Sequence, residues 1–156
     1  MSRNRKFVIA LICAGIAVAA AWAQGSLYTV KVESGSTKAI DYASMGGSGK
    51  VDFRGTVLAP NATGSAKVKS QGGVMSVEAS FKNIEPASKY GPEYMTYVLW
   101  AISPEGRALN LGEVLLKSGK GSIKVTTRLQ TFALVVTAEP YFATTQIGRA
   151  SCRERV

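Results

Sequence analysis

Met75-Ser76-Val77-Glu78-Ala79-Ser80-Phe81-Lys82 carries an apolar side chain at every second position and a polar one between. Successive side chains of an extended chain point to opposite faces. Met75, Val77, Ala79 and Phe81 therefore pack on a core, while Ser76, Glu78, Ser80 and Lys82 meet water. The same period recurs on both sides of this stretch. Ile123, Val125, Thr127 and Leu129 alternate with Lys124, Thr126 and Arg128, and Val51, Phe53 and Val57 alternate with Asp52, Arg54 and Thr56. Two runs are apolar on both faces, Tyr94 to Ile102 and Thr131 to Ala138. Strands of that kind belong in the middle of a fold, covered on both sides. Weaker strands are expected at Leu27–Val32, Gly64–Ser70 and Arg107–Leu116.

Turn chemistry separates these runs. Ser103-Pro104-Glu105-Gly106 has Pro second and Gly fourth, the signature of a type I turn closing a hairpin. Gln71-Gly72-Gly73 and Ser118-Gly119-Lys120-Gly121 supply residues that accept positive φ. Ala59 to Gly64 reads as a loop. Residues 33–49, rich in Ser and Gly, read as a flexible connection or an edge excursion. No amphipathic helix of useful length and no internal repeat is present. A chain of 156 residues suits one domain, and the spacing of strands and turns predicts an all-β, antiparallel β-sandwich, immunoglobulin-like in architecture.

Both ends of the chain read differently from its middle. Residues 1–23 begin with Arg3, Arg5 and Lys6, continue uncharged from Phe7 and end in Ala21-Trp22-Ala23. That is the charge, apolar run and small-x-small cleavage site of a secretory signal, with the mature chain starting at Gln24. The competing reading is an uncleaved anchor. Cys13 follows Ile12, which argues against lipidation there. The expected location is the periplasm or outer envelope of a Gram-negative bacterium. At the other end, Ile147 to Val156 (IGRASCRERV) resembles the translation of a sequencing adapter, so 146–156 is expected to be a scar, with the natural C-terminal region missing. Cys152 is then not native. With Cys13 in the signal, the exported domain has no cysteine and no disulfide. The domain assignment that follows is 24–50 for an N-terminal strand and flexible segment, and 51–145 for the sandwich proper, joined by the strand in 24–50.

Charge and composition exclude more than they assign. Lys and Arg number 19 against 10 Asp and Glu, for a net charge of +9, and there is no His. Without His there is no Ser–His–Asp triad, no Cys–His pair and no imidazole metal site. From Gln24 to Thr145 the cations number 13 and the carboxylates 9. Along the chain these cations stand singly, at Lys31, Lys50, Arg54, Lys67, Lys69, Lys82, Lys124 and Arg128, without interleaved aromatics. They read as solvated strand faces, and nucleic acid is not an expected partner. Gly46-Gly47-Ser48-Gly49-Lys50 lacks the spacing and following helix of a phosphate loop. Asn61-Ala62-Thr63 is a glycosylation sequon in a loop. Glu93, Glu105, Glu113 and Glu139 are dispersed, with nothing in their spacing to pair two for acid–base work. A Ser–Lys dyad with Lys50 or Lys89 is the remaining route to a hydrolase. Tyr94, Tyr97 and Trp100 are candidates for a ligand groove, with core packing as the alternative use. Arg107, Asn110 and Glu113 are candidates for a recognition edge.

Pro86-Ala87-Ser88-Lys89-Tyr90-Gly91-Pro92-Glu93-Tyr94, then Tyr97 through Arg107 and Asn110-Leu111-Gly112-Glu113-Val114, form a distinctive series. Leu129-Gln130-Thr131-Phe132 and Val136 through Ala143 continue it. Together, over about Val51 to Thr145, they resemble exported envelope proteins of acidobacteria. The resemblance implies a β-sandwich module after the signal and, in some members, a later region similar to outer-membrane-protein-A-type peptidoglycan-binding domains. The Tyr-x-Leu-Trp-x-Ile strand is also similar, more distantly, to the extracytoplasmic domain of membrane-bound anti-sigma regulators. The expectation is a non-catalytic, exported cell-envelope module with no cofactor, serving structural or binding roles toward an envelope protein or glycan. It would touch the membrane only through an uncleaved signal. The alternatives are an anti-sigma-like sensory domain and a Ser–Lys hydrolase.

Overall fold

The computed structural model describes residues 27–32, 35–46, 48–145 and 149–155, with the backbone alone for 27–32, 35–36 and 149–155. The export signal expected at 1–23 lies outside the described residues. Within them the chain forms β1 (Leu27–Val32), β2 (Gly35–Asp41), β3 (Ser48–Gly55), β4 (Thr63–Gln71), β5 (Val74–Lys82), β6 (Thr96–Ile102), β7 (Ala108–Glu113), β8 (Leu116–Lys117), β9 (Lys120–Thr127), β10 (Thr131–Glu139) and β11 (Arg149–Arg155). A 3-10 turn occupies Ala87–Tyr90, and no α-helix occurs among the described residues.

The strands build two antiparallel layers packed against each other, the sandwich that the alternation predicts. One layer runs β3-β4-β5-β9-β8 and the other runs β7-β6-β10. β2 joins the first two residues of β10, and β11 pairs with Val135–Ala138 of β10 on one side and with β3 on the other. β1 extends the structure as a hairpin with β2.

Period 2 decides what each face buries. In the first layer Val51 and Phe53, Ala66 and Val68, and Met75, Val77, Ala79 and Phe81 point inward. They meet Tyr97, Leu99 and Ala101 of β6 and Phe132, Leu134 and Val136 of β10. Phe53 and Phe81 meet edge to face at 4.9 Å, and Tyr42 lies 4.7 Å from Phe132. Full burial of a side chain of this size stabilises by roughly 1.5–3 kcal/mol. The alternate residues of the same two strands, Val98, Trp100, Ile102, Ala133 and Val135, form a second buried cluster with Ala39. β6 and β10 are thus covered on both faces, as their unbroken apolar runs require.

The turns follow their residues. Gly72 and Gly73, at φ 58° and 83°, make the two-residue link between β4 and β5, and Ser118 and Gly119, at φ 51° and 73°, do the same between β8 and β9. Two successive positive φ values match the right-handed twist of hairpin strands. Gly106 N–H bonds the Ser103 carbonyl at 2.9 Å, closing the Ser-Pro-Glu-Gly turn.

Four expectations meet a different structure. Val57, placed by alternation on the core side, is 96% exposed, because β3 ends at Gly55 and the chain turns away. Within the Ser/Gly-rich segment, Gly35–Asp41 is a strand, its Ala39 and Ile40 buried in the two clusters. Met95, in the run expected to be covered on both faces, is 81% exposed, because β6 begins only at Thr96. Residues 149–155, within the segment expected to be a scar, pair as β11 in the seam between β10 and β3. Backbone N–H and C=O groups on two facing strand edges bond any extended segment laid between them, whatever its side chains.

Gly55 ends β3 because nothing larger fits. Its N–H bonds the Ala62 carbonyl at 2.8 Å, and a Cβ there would lie 1.8 Å from the Ala59 carbonyl oxygen. Gly72 faces open space. We expect Gly55→Ala to cost about 3 kcal/mol or more in urea unfolding. Gly72→Ala, which meets only the positive-φ penalty, should cost about 1 kcal/mol.

Candidate functional site

The chain between β5 and β6 is punctuated by proline and glycine. Pro86 leads into the 3-10 turn, Lys89 N–H bonds the Pro86 carbonyl at 3.0 Å, and Gly91, at φ 151°, lets the chain reverse. Tyr94 N–H then bonds the Gly91 carbonyl at 3.1 Å. This segment stands against the chain around β7 and β8, leaving a cleft of about 620 Å³ between them. Its floor is Ile84 and Val114, both buried. Pro86, Pro92 and Tyr94 line one wall, and Met95 and Leu115, 81% and 71% exposed, flank the opening. Apolar side chains that large normally turn away from water, and two beside one cleft mark a surface suited to a partner.

The candidate groove residues divide. Tyr97 is buried toward the main core, lines the cleft and donates from its hydroxyl to the Glu85 carbonyl at 2.7 Å. Tyr94 also lines it. Trp100 points the other way: residues 97 and 100, three apart on a strand, take opposite faces. Its indole N–H donates to the Thr137 hydroxyl at 2.8 Å. That hydroxyl in turn donates to the Glu139 carboxylate, which is 2% exposed. One hydroxyl accepting and donating at once makes a buried relay of three side chains, beside the apolar cluster of Val98, Ile102, Ala133 and Val135.

The carboxylates are less dispersed than their spacing implies. Glu139 lies opposite Thr96 in the β10–β6 register, and Glu113 opposite Val98 in the β6–β7 register. Residues opposed in an antiparallel pair share a face. Glu113 and Glu139 therefore sit on the same face, two strand spacings across and two residues along, about 12 Å apart in backbone position. Thr96 donates from its hydroxyl to Glu113. Glu113 lines the cleft, so a hydrogen-bond acceptor stands beside the apolar walls. Glu93, between Pro92 and Tyr94, and Glu105, in the β6–β7 turn, are both exposed. The Ser103 hydroxyl, ahead of Glu105's own backbone N–H, holds the Glu105 carboxyl below its ordinary value.

The recognition-edge residues do not converge. Arg107 closes the β6–β7 turn, its carbonyl accepting from Ser103 N–H at 2.9 Å. Asn110 donates from its amide to the Phe142 and Thr144 carbonyls, both at 2.9 Å, and so holds residues 142–144 against β7. Of the two dyad lysines, Lys89 is ion-paired to Glu85, and Lys50 lies opposite Lys67. Gly46 lies in a turn and Ser48-Gly49-Lys50 open β3, and Asn61 is exposed in its loop. Among the described residues no group of three or more metal-ligating side chains occurs.

Removing the relay's central hydroxyl tests its weight. Thr137→Val keeps the volume and leaves the Trp100 N–H buried without its acceptor. We expect a loss of about 1–3 kcal/mol in denaturant unfolding, with Thr137→Ser restoring most of it.

No family model matches the chain, and neither a curated protein nor a solved structure matches it.

Proposed function

We propose that this protein is a non-catalytic, exported cell-envelope module, and that it binds an envelope protein or glycan through the cleft between residues 84–97 and 113–119. The observation that carries the reading is the pairing of Met95 and Leu115, large apolar side chains held in water, with the Glu113 carboxylate in one cleft. Such a cleft fits a ligand that offers an apolar group together with a hydrogen-bond donor or a cation. The charged, cleavable start of the chain supports export. The lack of any His, and Lys89's engagement by Glu85, support a role without chemistry at the site.

A photo-crosslinking residue at Met95, in cells, is expected to yield a discrete adduct with an envelope component. Leu115→Asp or Glu113→Gln should reduce that adduct at least tenfold, with the unfolding midpoint unchanged. Crosslinks confined to the chain itself, protein retained in the cytoplasm, or labelling of the purified protein by a serine-reactive probe would overturn the reading.

A further inference from the structure

Cations that stand singly along the chain are gathered by strand pairing. Lys50, Lys67, Glu78 and Lys124 fall in one row across β3, β4, β5 and β9. Four residues further along the strands, Arg54, Thr63, Lys82 and Lys120 make another row, which Lys117 of β8 extends. Lys69 lies on the same face, opposite Ser48 and Ser76. All eight of these cations are exposed. The carboxylates on this outward face are Asp52 and Glu78 alone, so it carries a formal +6.

The other described side chains have the opposite balance. Over the other described side chains from Thr37 to Thr145, four cations (Lys38, Lys89, Arg107, Arg128) face six carboxylates (Asp41, Glu85, Glu93, Glu105, Glu113, Glu139), a formal −2. The charge is thus polarised onto one sheet face. Glu78 registers this: its carboxyl is held below its ordinary value, first by the hydrogen bond and charge of Lys124, 2.7 Å away, then by Lys69 and Lys67.

We propose that the outward face of β3-β4-β5-β9-β8 is a docking surface for a lipid bilayer rich in anionic phospholipid. The face is about 20 Å wide and about 25 Å along its strands, from ordinary strand spacing and rise. Between its cations stand Ser48, Thr63, Ser65, Ser80, Ser122 and Thr126. None of its positions from β3 to β9 is aromatic, so it offers no stacking platform for a nucleobase. Seven of its eight cations are lysines, point charges without the planar fork that reads a phosphate or carboxylate bidentately. A broad field of point charges without stacking groups matches a laterally fluid sheet of headgroups, whose lipids diffuse to the charges. The excess of carboxylates among the other described side chains disfavours their surfaces near the same bilayer and so favours one orientation.

Sedimentation of the full chain with vesicles tests the proposal, independently of the cleft. The vesicles are phosphatidylcholine with and without phosphatidylglycerol, at low and high salt. The variant Lys50→Ser/Lys67→Ser/Lys69→Ser places at exposed positions the residue the face already uses, so the fold should persist, and circular dichroism checks it. At roughly fivefold per cation, binding to phosphatidylglycerol vesicles should fall about 100-fold. The control Lys38→Ser/Lys89→Ser/Arg107→Ser, with the same net charge, should leave it within a fewfold of the parent. High salt should release the parent chain. Equal losses in both variants, or equal binding to vesicles without phosphatidylglycerol, would overturn the proposal. So would heparin or duplex DNA holding the protein at salt that frees it from the vesicles.

Discussion

Two strands, β6 and β10, carry apolar side chains on both faces, and water must be kept from both. Tyr97, Leu99 and Ala101 on one face of β6, with Phe132, Leu134 and Val136 of β10, meet the inward residues of the opposite layer. Val98, Trp100 and Ile102, with Ala133 and Val135, are as fully buried on the other side. That demand accounts for the chain before β3. β2 pairs with the start of β10 and brings Ala39 into the second cluster and Ile40 into the first. It also makes the Trp100–Thr137–Glu139 relay necessary. An indole N–H in a dry face costs free energy unless something accepts from it, and the Thr137 hydroxyl is placed to do so.

The same two strands set the cleft. β6 begins only at Thr96, and the chain before it is tied to the layers by the 3-10 turn at Ala87–Tyr90, whose Ala87 packs into the main core. Val114 N–H bonds the Tyr97 carbonyl at 2.8 Å, which fixes the chain after β7 beside the start of β6. Met95 N–H bonds the Glu139 carbonyl at 3.0 Å, which fixes the opposite edge. The exposed Met95 and Leu115 are thus carried on backbone that the central strands hold in place. Recognition groups on a fixed frame lose little freedom on binding.

How much of this was legible in the residues follows from what period 2 reports. It tells which face a side chain takes, and so the core was readable at Met75, Val77, Ala79 and Phe81, and the double burial at Tyr97 to Ile102, but not the exposure of Met95 just before them. Glycine and proline told where strands turn, at Gly72-Gly73 and Ser103 to Gly106. Alternation says nothing of which strand lies beside which. The placing of Glu113 and Glu139 on one face, and the gathering of Lys50, Lys67 and Lys124 into one row, exist only once the register does. Val57 misled because its neighbours prolong the alternation, while the bend is set by the close approach of Gly55 to Ala59. β2 escaped notice because Ser and Gly at its start hide a short apolar pair at Ala39 and Ile40.

The polarised charge has a colloidal consequence. Broad, flat sheets tend to stack on copies of themselves, and the widest one on this molecule is studded with ammonium groups. Two copies approaching through it meet like charge, so self-stacking is suppressed for as long as that charge is unneutralised. The surface that would otherwise be the first to glue molecules together is the one that keeps them dispersed.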